Sequence, residues 1–182
     1  FVKMRMSVVE GEKNNTLQGE VVVDATIEEC AVQEYMNYSR KAYSDFYEKD
    51  GGLTKDIFKF GNHSFVNRSV YNLGAWFSPR EFVWQVVWKR LSADEIIVVY
   101  APVVDLDPEW NFAVAEGTIR ASSWTLVRIQ KLPDFADIPQ TRIRYTSQLD
   151  FAGSVPSHLI DSNIPSRLMN LDRVRVMFDK SL

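Results

Sequence analysis

The chain has 182 residues, of which 46% are hydrophobic and 25% charged, and its formal net charge is −3. These values predict one globular domain over residues 1–182 and give no electrostatic reason to expect nucleic-acid binding. No run of about 20 apolar residues predicts a membrane span. The single cysteine, Cys30, excludes an internal disulfide and favours a reducing, cytoplasmic location. Residue 1 is not methionine, which leaves open that the sequence is a domain excised from a longer chain.

The N-terminal part predicts two strands, at residues 2–9 and 16–24, and then a helical segment that ends at the glycines 51 and 52. The polar residues 11–15 suit a hairpin turn between the strands. Thr26 and Glu29 match a capping box, in which each side chain satisfies a backbone donor of the other. Apolar residues then recur three or four apart, as in a helical hairpin or a bent helix.

Six more strands are predicted, at residues 57–60, 64–73, 82–91, 95–104, 118–131 and 141–151. In one of them Phe82, Trp84, Val86 and Trp88 alternate with mixed residues, so these four share one face of the strand. Each indole would bury about 150–250 Å². We therefore expect this face to be either a packed core or the lining of an apolar cavity.

Residues 105–117 contain Pro108 and several acids, and they predict a loop. The loop also carries Trp110 and Phe112. Three positions are open for these two aromatic residues: tucked into the domain, folded onto the mouth of a cavity, or placed at a tip that touches a membrane.

A long amphipathic helix is predicted after Gly153, where Pro156 suits the first helical turn. Its apolar face is formed by Ile160, Ile164, Leu168, Leu171, Val174 and Phe178. Pro165 should bend it. The order of elements predicts an α+β fold in which a curved antiparallel sheet wraps around this C-terminal helix and leaves room between them.

Few residues suggest catalytic or metal chemistry. His63 and His158 are expected to be ordinary polar residues, and Cys30 is expected to face the core. The acids Asp105, Asp107 and Glu109 alternate like calcium ligands, but no glycine and no bidentate glutamate follow at loop spacing. We therefore expect no enzyme activity, no cofactor and no metal.

Four short motifs follow one another along nearly the whole chain. They are Val21 to Glu29, Ser78-Pro79-Arg80-Glu81-Phe82-Val83, Ile119-Arg120-Ala121 and Asp150-Phe151-Ala152-Gly153-Ser154-Val155-Pro156. In this order they resemble the START domain, a lipid-transfer domain with the helix-grip fold. Two departures are a missing N-terminal helix and the sequence Arg40-Lys41-Ala42-Tyr43-Ser44, where the family carries Arg-x-x-Trp-Asp.

The resemblance implies an internal ligand cavity. Some sterol-binding members of the family place an acid and an arginine inside it, and the spacing from Arg80 puts those positions at Asn67 and Val86. We expect these two residues to face each other across neighbouring strands in a more neutral cavity. The predicted cavity residues are Asn67, Ser69, Tyr71, Phe82, Trp84, Val86, Trp88, Tyr145, Leu168 and Leu171.

The function implied by the resemblance is binding or transfer of one hydrophobic molecule, with possible transient contact to a membrane surface. The C-terminal helix and the 105–117 loop would be the moving parts that admit the ligand. Two alternatives are a lipid-sensing regulatory domain of a larger protein and a cyclase-like enzyme of the helix-grip superfamily. An enzyme would need an acid–base pair inside the cavity, and Arg120, Tyr145 and Glu81 are the available candidates.

Overall fold

The structure is a computed structural model that describes residues 2–7, 16–36, 39–74, 77–103, 112–153 and 171–180. The strands are β1 (Lys3–Ser7), β2 (Thr16–Val23), β3 (Gly52–Lys59), β4 (Ser64–Tyr71), β5 (Arg80–Ser92), β6 (Glu95–Pro102), β7 (Ile119–Arg120), β8 (Ser122–Phe135) and β9 (Ile138–Asp150). The helices are α1 (Ile27–Tyr35), α2 (Arg40–Glu48) and α3, at residues 171–177. This is the predicted α+β architecture.

The strands form one nine-stranded sheet in the order β1-β2-β9-β8-β6-β5-β4-β3, with β7 paired to β5. Every pair is antiparallel except β5–β7, which is parallel. The prediction of one continuous strand over residues 118–131 is therefore wrong. The amides of Ile119 and Ala121 donate to the carbonyls of Pro79 and Glu81, at 3.0 and 2.8 Å, before the chain joins β6 as β8.

The strand predicted at residues 57–60 begins earlier, at Gly52. This glycine is required by packing, because a Cβ atom there would lie 2.3 Å from Cε1 of Phe46. The missing side chain lets the end of α2 lie against the start of β3. Of the two glycines that predict the end of a helix, the second therefore also begins a strand.

The capping box predicted for α1 is confirmed. The amide of Glu29 donates to Thr26 Oγ1 at 3.2 Å, and the amide of Thr26 donates to Glu29 Oε2 at 2.8 Å. The helix buries Ile27, Cys30 and Ala31 against the sheet. A separate helix, α2, follows and is capped by Ser39.

The main core lies between one face of the sheet and the helices. It contains Val21, Val23, Phe65, Val86, Ile96, Val98, Val127, Ile129, Ile143, the buried residues of α1, and Leu171 of α3. Leu171 is 1% exposed, and Val174 and Phe178 pack beside it, so α3 lies on this face of the sheet. No helix among the described residues is long and apolar enough to cross a membrane.

Several predicted features lie outside the described residues: the helix start at Pro156, the bend at Pro165, the cavity residue Leu168, His158, Trp110, and most of the 105–117 loop.

Candidate ligand-binding face

The candidate site is the face of the sheet that meets α1 and α3, called here the inner face. Paired residues of antiparallel strands share a face, so the register places Asn67, Ser69 and Tyr71 beside Trp84, Phe82 and Arg80. The predicted alternation of Phe82, Trp84, Val86 and Trp88 onto one face is confirmed by this register and the next.

The predicted cavity residues divide into two groups by exposure. Asn67, Ser69, Phe82, Val86 and Leu171 are buried, each at most 3% exposed. Tyr71, Trp84, Trp88 and Tyr145 are half-buried. The inner face thus has a closed part, which includes the polar residues Asn67 and Ser69, and a band of large side chains that keep some accessible surface.

The prediction that Asn67 and Val86 lie directly opposite each other is wrong, because the strand register is shifted by two residues. Asn67 lies opposite Trp84, and Val86 lies opposite Phe65. The two residues are diagonal neighbours on the inner face, and Ser69 Oγ donates to Asn67 Oδ1 at 3.0 Å. Counting from a motif gives the correct face but not the partner, because the length of the β4–β5 connection decides the register.

The indoles of the half-buried band have their polar ends satisfied. Trp84 Nε1 donates to Ser123 Oγ at 2.8 Å, and Trp88 Nε1 donates to the carbonyl of Asn62 at 2.9 Å. The Trp84 ring stacks on Phe82 with centroids 5.0 Å apart. These contacts fix the rings in place, so the accessible parts form a rigid aromatic surface.

A polar cluster faces this surface from the end of α1. Its three members, Glu34, Tyr100 and Tyr145, form what we call the Glu34 cluster. Tyr100 Oη donates to Glu34 Oε1 at 2.7 Å, and Tyr145 Oη donates to Glu34 Oε2. Burial raises the pKa of Glu34, and the two phenols oppose that shift. Burial also raises the pKa of Tyr145 well above its ordinary value.

A second buried ionisable group of the inner face is Lys55 on β3. Its ammonium lies 5.3 Å from the ring centre of Phe46 and 5.4 Å from that of Tyr43. Burial lowers the pKa of Lys55 to about 8, which the charge of Asp50 partly opposes.

The enzyme candidates Glu81 and Arg120 lie on the opposite, outer face and bind each other. Glu81 is fully buried, and its two carboxylate oxygens accept from Arg68 Nε at 2.6 Å and Arg120 Nε at 2.7 Å. Tyr145 points to the inner face with the Glu34 cluster. The three candidates therefore do not form one acid–base site.

Phe112 is tucked onto the outer face. Its ring stacks on Phe58 with centroids 5.2 Å apart, and its carbonyl accepts from Arg120 at 2.6 Å. Of the three positions open for this residue, the structure selects the first.

Two of the motifs quoted above contact each other through Arg80, which is 2% exposed. Its Nε donates to the carbonyl of Phe151 at 2.7 Å, and its other nitrogens reach the carbonyls of Ser78 and Ala152. The motif residues Arg80 and Glu81 thus join strands and loops of the scaffold, and neither lies in the half-buried band.

The thiol and imidazole candidates offer little chemistry. Burial raises the pKa of Cys30 to about 12, so the thiol stays protonated. His63 is exposed, with its ring 4.5 Å from that of Trp88. Among the described residues no group of three histidine, cysteine or acidic side chains is placed to hold a metal ion.

Sequence reasoning missed Glu34, Tyr100, Lys55 and the Thr125–Ser147 pair, whose hydroxyl oxygens are 2.8 Å apart. A signal existed for Glu34, because it lies within the stripe of Ile27, Cys30, Ala31 and Tyr35 that predicts the buried side of α1. A single acid in such a stripe is a candidate for an internal site.

No family sequence model matches the chain, and no curated protein matches it in sequence. Solved structures do match. Human StAR-related lipid transfer protein 5 is 20% identical, with a TM-score of 0.73 over 97% of this chain and 83% of that one. The human StarD13 lipid transfer and protein localization domain is 15% identical, with a TM-score of 0.71 over 98% of this chain and 85% of that one.

A bacterial structure, a fragment of the STAR-related lipid transfer protein from Xanthomonas axonopodis, is 18% identical. Its TM-score is 0.70 over 97% of this chain and 93% of that one. At such identities the likeness concerns the fold, and it extends over nearly the whole chain. This protein has the helix-grip fold of START-domain proteins.

Proposed function

We propose that this domain binds one hydrophobic molecule, such as a lipid, against its inner face. The observation that carries the proposal is the half-buried band of Tyr71, Trp84, Trp88, Tyr100 and Tyr145 beside a fully buried core. Fixed aromatic side chains with accessible surface favour an apolar ligand. The three similar structures described above are all named for lipid transfer, which supports the same class of ligand.

The driving force would be removal of apolar surface from water. At about 0.8 kcal/mol per buried methylene, a long acyl chain gains on the order of 10 kcal/mol before the costs of ordering. Small polar groups on the same face, including Ser123, Thr125 and Ser147, would orient a head group.

We further propose that the domain is not an enzyme and uses no cofactor. Support comes from the ion pair of Glu81 with Arg120 on the outer face and from the high pKa of the Cys30 thiol. Transient contact with a membrane surface and an intracellular location belong to the same proposal. Lipid sensing within a larger protein remains the alternative to transfer, since both require the same bound ligand.

Native mass spectrometry of the purified protein, followed by analysis of its organic extract, tests the proposal. We expect one lipid per chain. Trp84→Ala should lower the bound fraction, whereas Trp124→Ala should not, because Trp124 is 50% exposed on the outer face of β8. Transfer of a fluorescent lipid between vesicles then separates carriage from sensing. Equal lipid loading of folded Trp84→Ala and Trp124→Ala proteins, or no retained and no exchangeable lipid, would contradict the proposal.

A further inference from the structure

The Glu34 cluster is placed where a ligand on the inner face would meet it. Glu34 lies in the last turn of α1, and its carboxylate is held between Tyr100 of β6 and Tyr145 of β9. Both phenols project from the inner face, in register with Val86 and Val127. The carboxylate is therefore fixed above the centre of the sheet.

No basic side chain of the described residues is paired with this carboxyl group. The last turn of α1 contains no basic residue either. The C-terminal end of a helix adds a partial negative charge of its own, which favours a cation nearby.

The buried cations of the inner face are committed elsewhere. Lys55 lies against the rings of Tyr43 and Phe46, and Arg80 is held by backbone carbonyls. Neither is a partner of Glu34, so the described part of the chain leaves the charge of this carboxylate without a counterion.

The two phenols contact the carboxylate itself. Tyr35 follows Glu34 in α1, and its ring meets Trp88 edge-on with centroids 6.4 Å apart. A carboxylate among aromatic side chains is an environment that suits an ammonium group, through ion pairing and cation–π attraction together.

We infer that the Glu34 cluster holds the positively charged nitrogen of an amphiphilic ligand, so that the preferred ligand is a long-chain amine rather than a neutral or acidic lipid. This inference rests on the proposed function and names the chemical class of its ligand. The hydrogen bonds balance: each carboxylate oxygen accepts one phenol hydrogen and retains a lone pair for a hydrogen of the ammonium. Burial opposes ionisation of Glu34, and a bound ammonium would reverse that effect.

Three probes with one chain length test the inference: dodecylamine, dodecanol and dodecanoate, each titrated below its critical micelle concentration into delipidated protein. We expect dodecylamine to bind at least about tenfold more tightly than dodecanol, as charge-assisted hydrogen bonds predict, and dodecanoate to bind most weakly. Glu34→Gln should remove the preference for the amine, so that dodecylamine and dodecanol bind this variant with similar affinity. Glu28→Gln is the matched control, because Glu28 lies on the solvent side of the same helix and pairs with Arg90.

The outcomes separate the two proposals. If dodecanol and dodecylamine bind equally, or if the preference survives in Glu34→Gln, the amine inference is overturned and lipid binding stands. If none of the probes binds, the proposed function is overturned, and the inference with it.

A second measurement uses the parent protein, so its result does not depend on whether a variant folds. Carbon-13 NMR of the glutamate side-chain carboxyls follows the titration of Glu34 with and without ligand. Saturation with dodecylamine should lower the pKa of Glu34, and dodecanol should not. An unchanged pKa in the amine-saturated protein would overturn the inference.

Discussion

Glu81 and Glu34 are two glutamates on opposite faces of the same sheet, the first fully buried and the second half-buried. Glu81 has two arginines, Arg68 and Arg120, and each of its oxygens receives a guanidinium hydrogen bond. Glu34 has only phenols as side-chain partners, and burial raises its pKa. Both oxygens of the outer carboxylate are paired with arginines, whereas the inner carboxyl has no basic partner among the described residues.

This difference separates scaffold from site. A buried charge with its counterions can be part of the scaffold, because breaking the pair would cost more than keeping it. A buried acid without a counterion is destabilising unless it serves a ligand or stays protonated. The motif that carries Glu81 therefore contributes to the fold. Glu34, which belongs to no motif, is the residue that we propose to recognise the ligand.

The largest expected effect is at the outer site. Glu81→Gln removes the charge that balances Arg68 and Arg120, and it should lower the free energy of unfolding by about 3–5 kcal/mol. Glu95→Gln is the control, since its partner Arg128 is 46% exposed and the loss should stay below about 1 kcal/mol. Denaturant titration measures both. Similar losses in the two variants would contradict the structural role of Glu81.

Arg80 is a buried charged residue whose hydrogen-bond partners, within the described part of the chain, are backbone carbonyl groups. Arg80→Met leaves the carbonyls of Phe151 and Ser78 without this donor and should lower the free energy of unfolding by about 2–3 kcal/mol. Arg90→Met, at an exposed arginine paired with Glu28, should change it by less than about 1 kcal/mol. If both variants unfold at the same denaturant concentration as the parent, the clamp between the two motifs has no energetic role.

Introducing an acid and an arginine on the inner face would give that face a buried ion pair, as Glu81 and its arginines give the outer face. Val86→Arg alone buries an unpaired charge, and Asn67→Glu with Val86→Arg should recover part of the loss, with a coupling energy of about 1–2 kcal/mol. The diagonal placement of the two residues makes this weaker than a directly opposed pair. A double-mutant cycle on denaturant stability measures the coupling, and strictly additive effects would show that the side chains do not meet.

The smallest effect is a pH dependence from Glu34. A carboxyl whose pKa is raised on folding stabilises the folded state fully below the unfolded value, near 4.5, and this contribution is lost as pH rises through the folded pKa. Relative to Glu34→Gln, the parent should therefore lose stability with rising pH in that window, by at most about 1.4 kcal/mol per pH unit.

Glu28→Gln gives the opposite sign, which makes it a useful control. The hydrogen bond from Arg90 lowers the pKa of Glu28, so its contribution is present above the unfolded value and is lost as pH falls through the folded one. Thermal unfolding in a series of buffers compares the three proteins. Parallel pH profiles of the parent and Glu34→Gln would contradict the burial of the Glu34 carboxyl.

Local patterns predicted the elements well where the pattern itself causes the structure. The capping box of Thr26 and Glu29 forms because both partners lie within one helical turn. The alternation from Phe82 to Trp88 places those residues on one face because the strand period is two. The break between β7 and β8 was missed because alternation continues across it while the pairing partner changes from β5 to β6.

The sequence by itself determined the fold class, the inner face of the aromatic strand and the buried side of α1, since each depends on a period along the chain. Only the tertiary structure decided which residues meet. It set Asn67 against Trp84 rather than Val86, joined Glu81 to Arg68 and Arg120, and brought Glu34 to Tyr100 and Tyr145, which are 66 and 111 residues away in the chain. Such contacts arise from strand register and from helix packing on the sheet, and neither is encoded in the spacing of neighbouring residues.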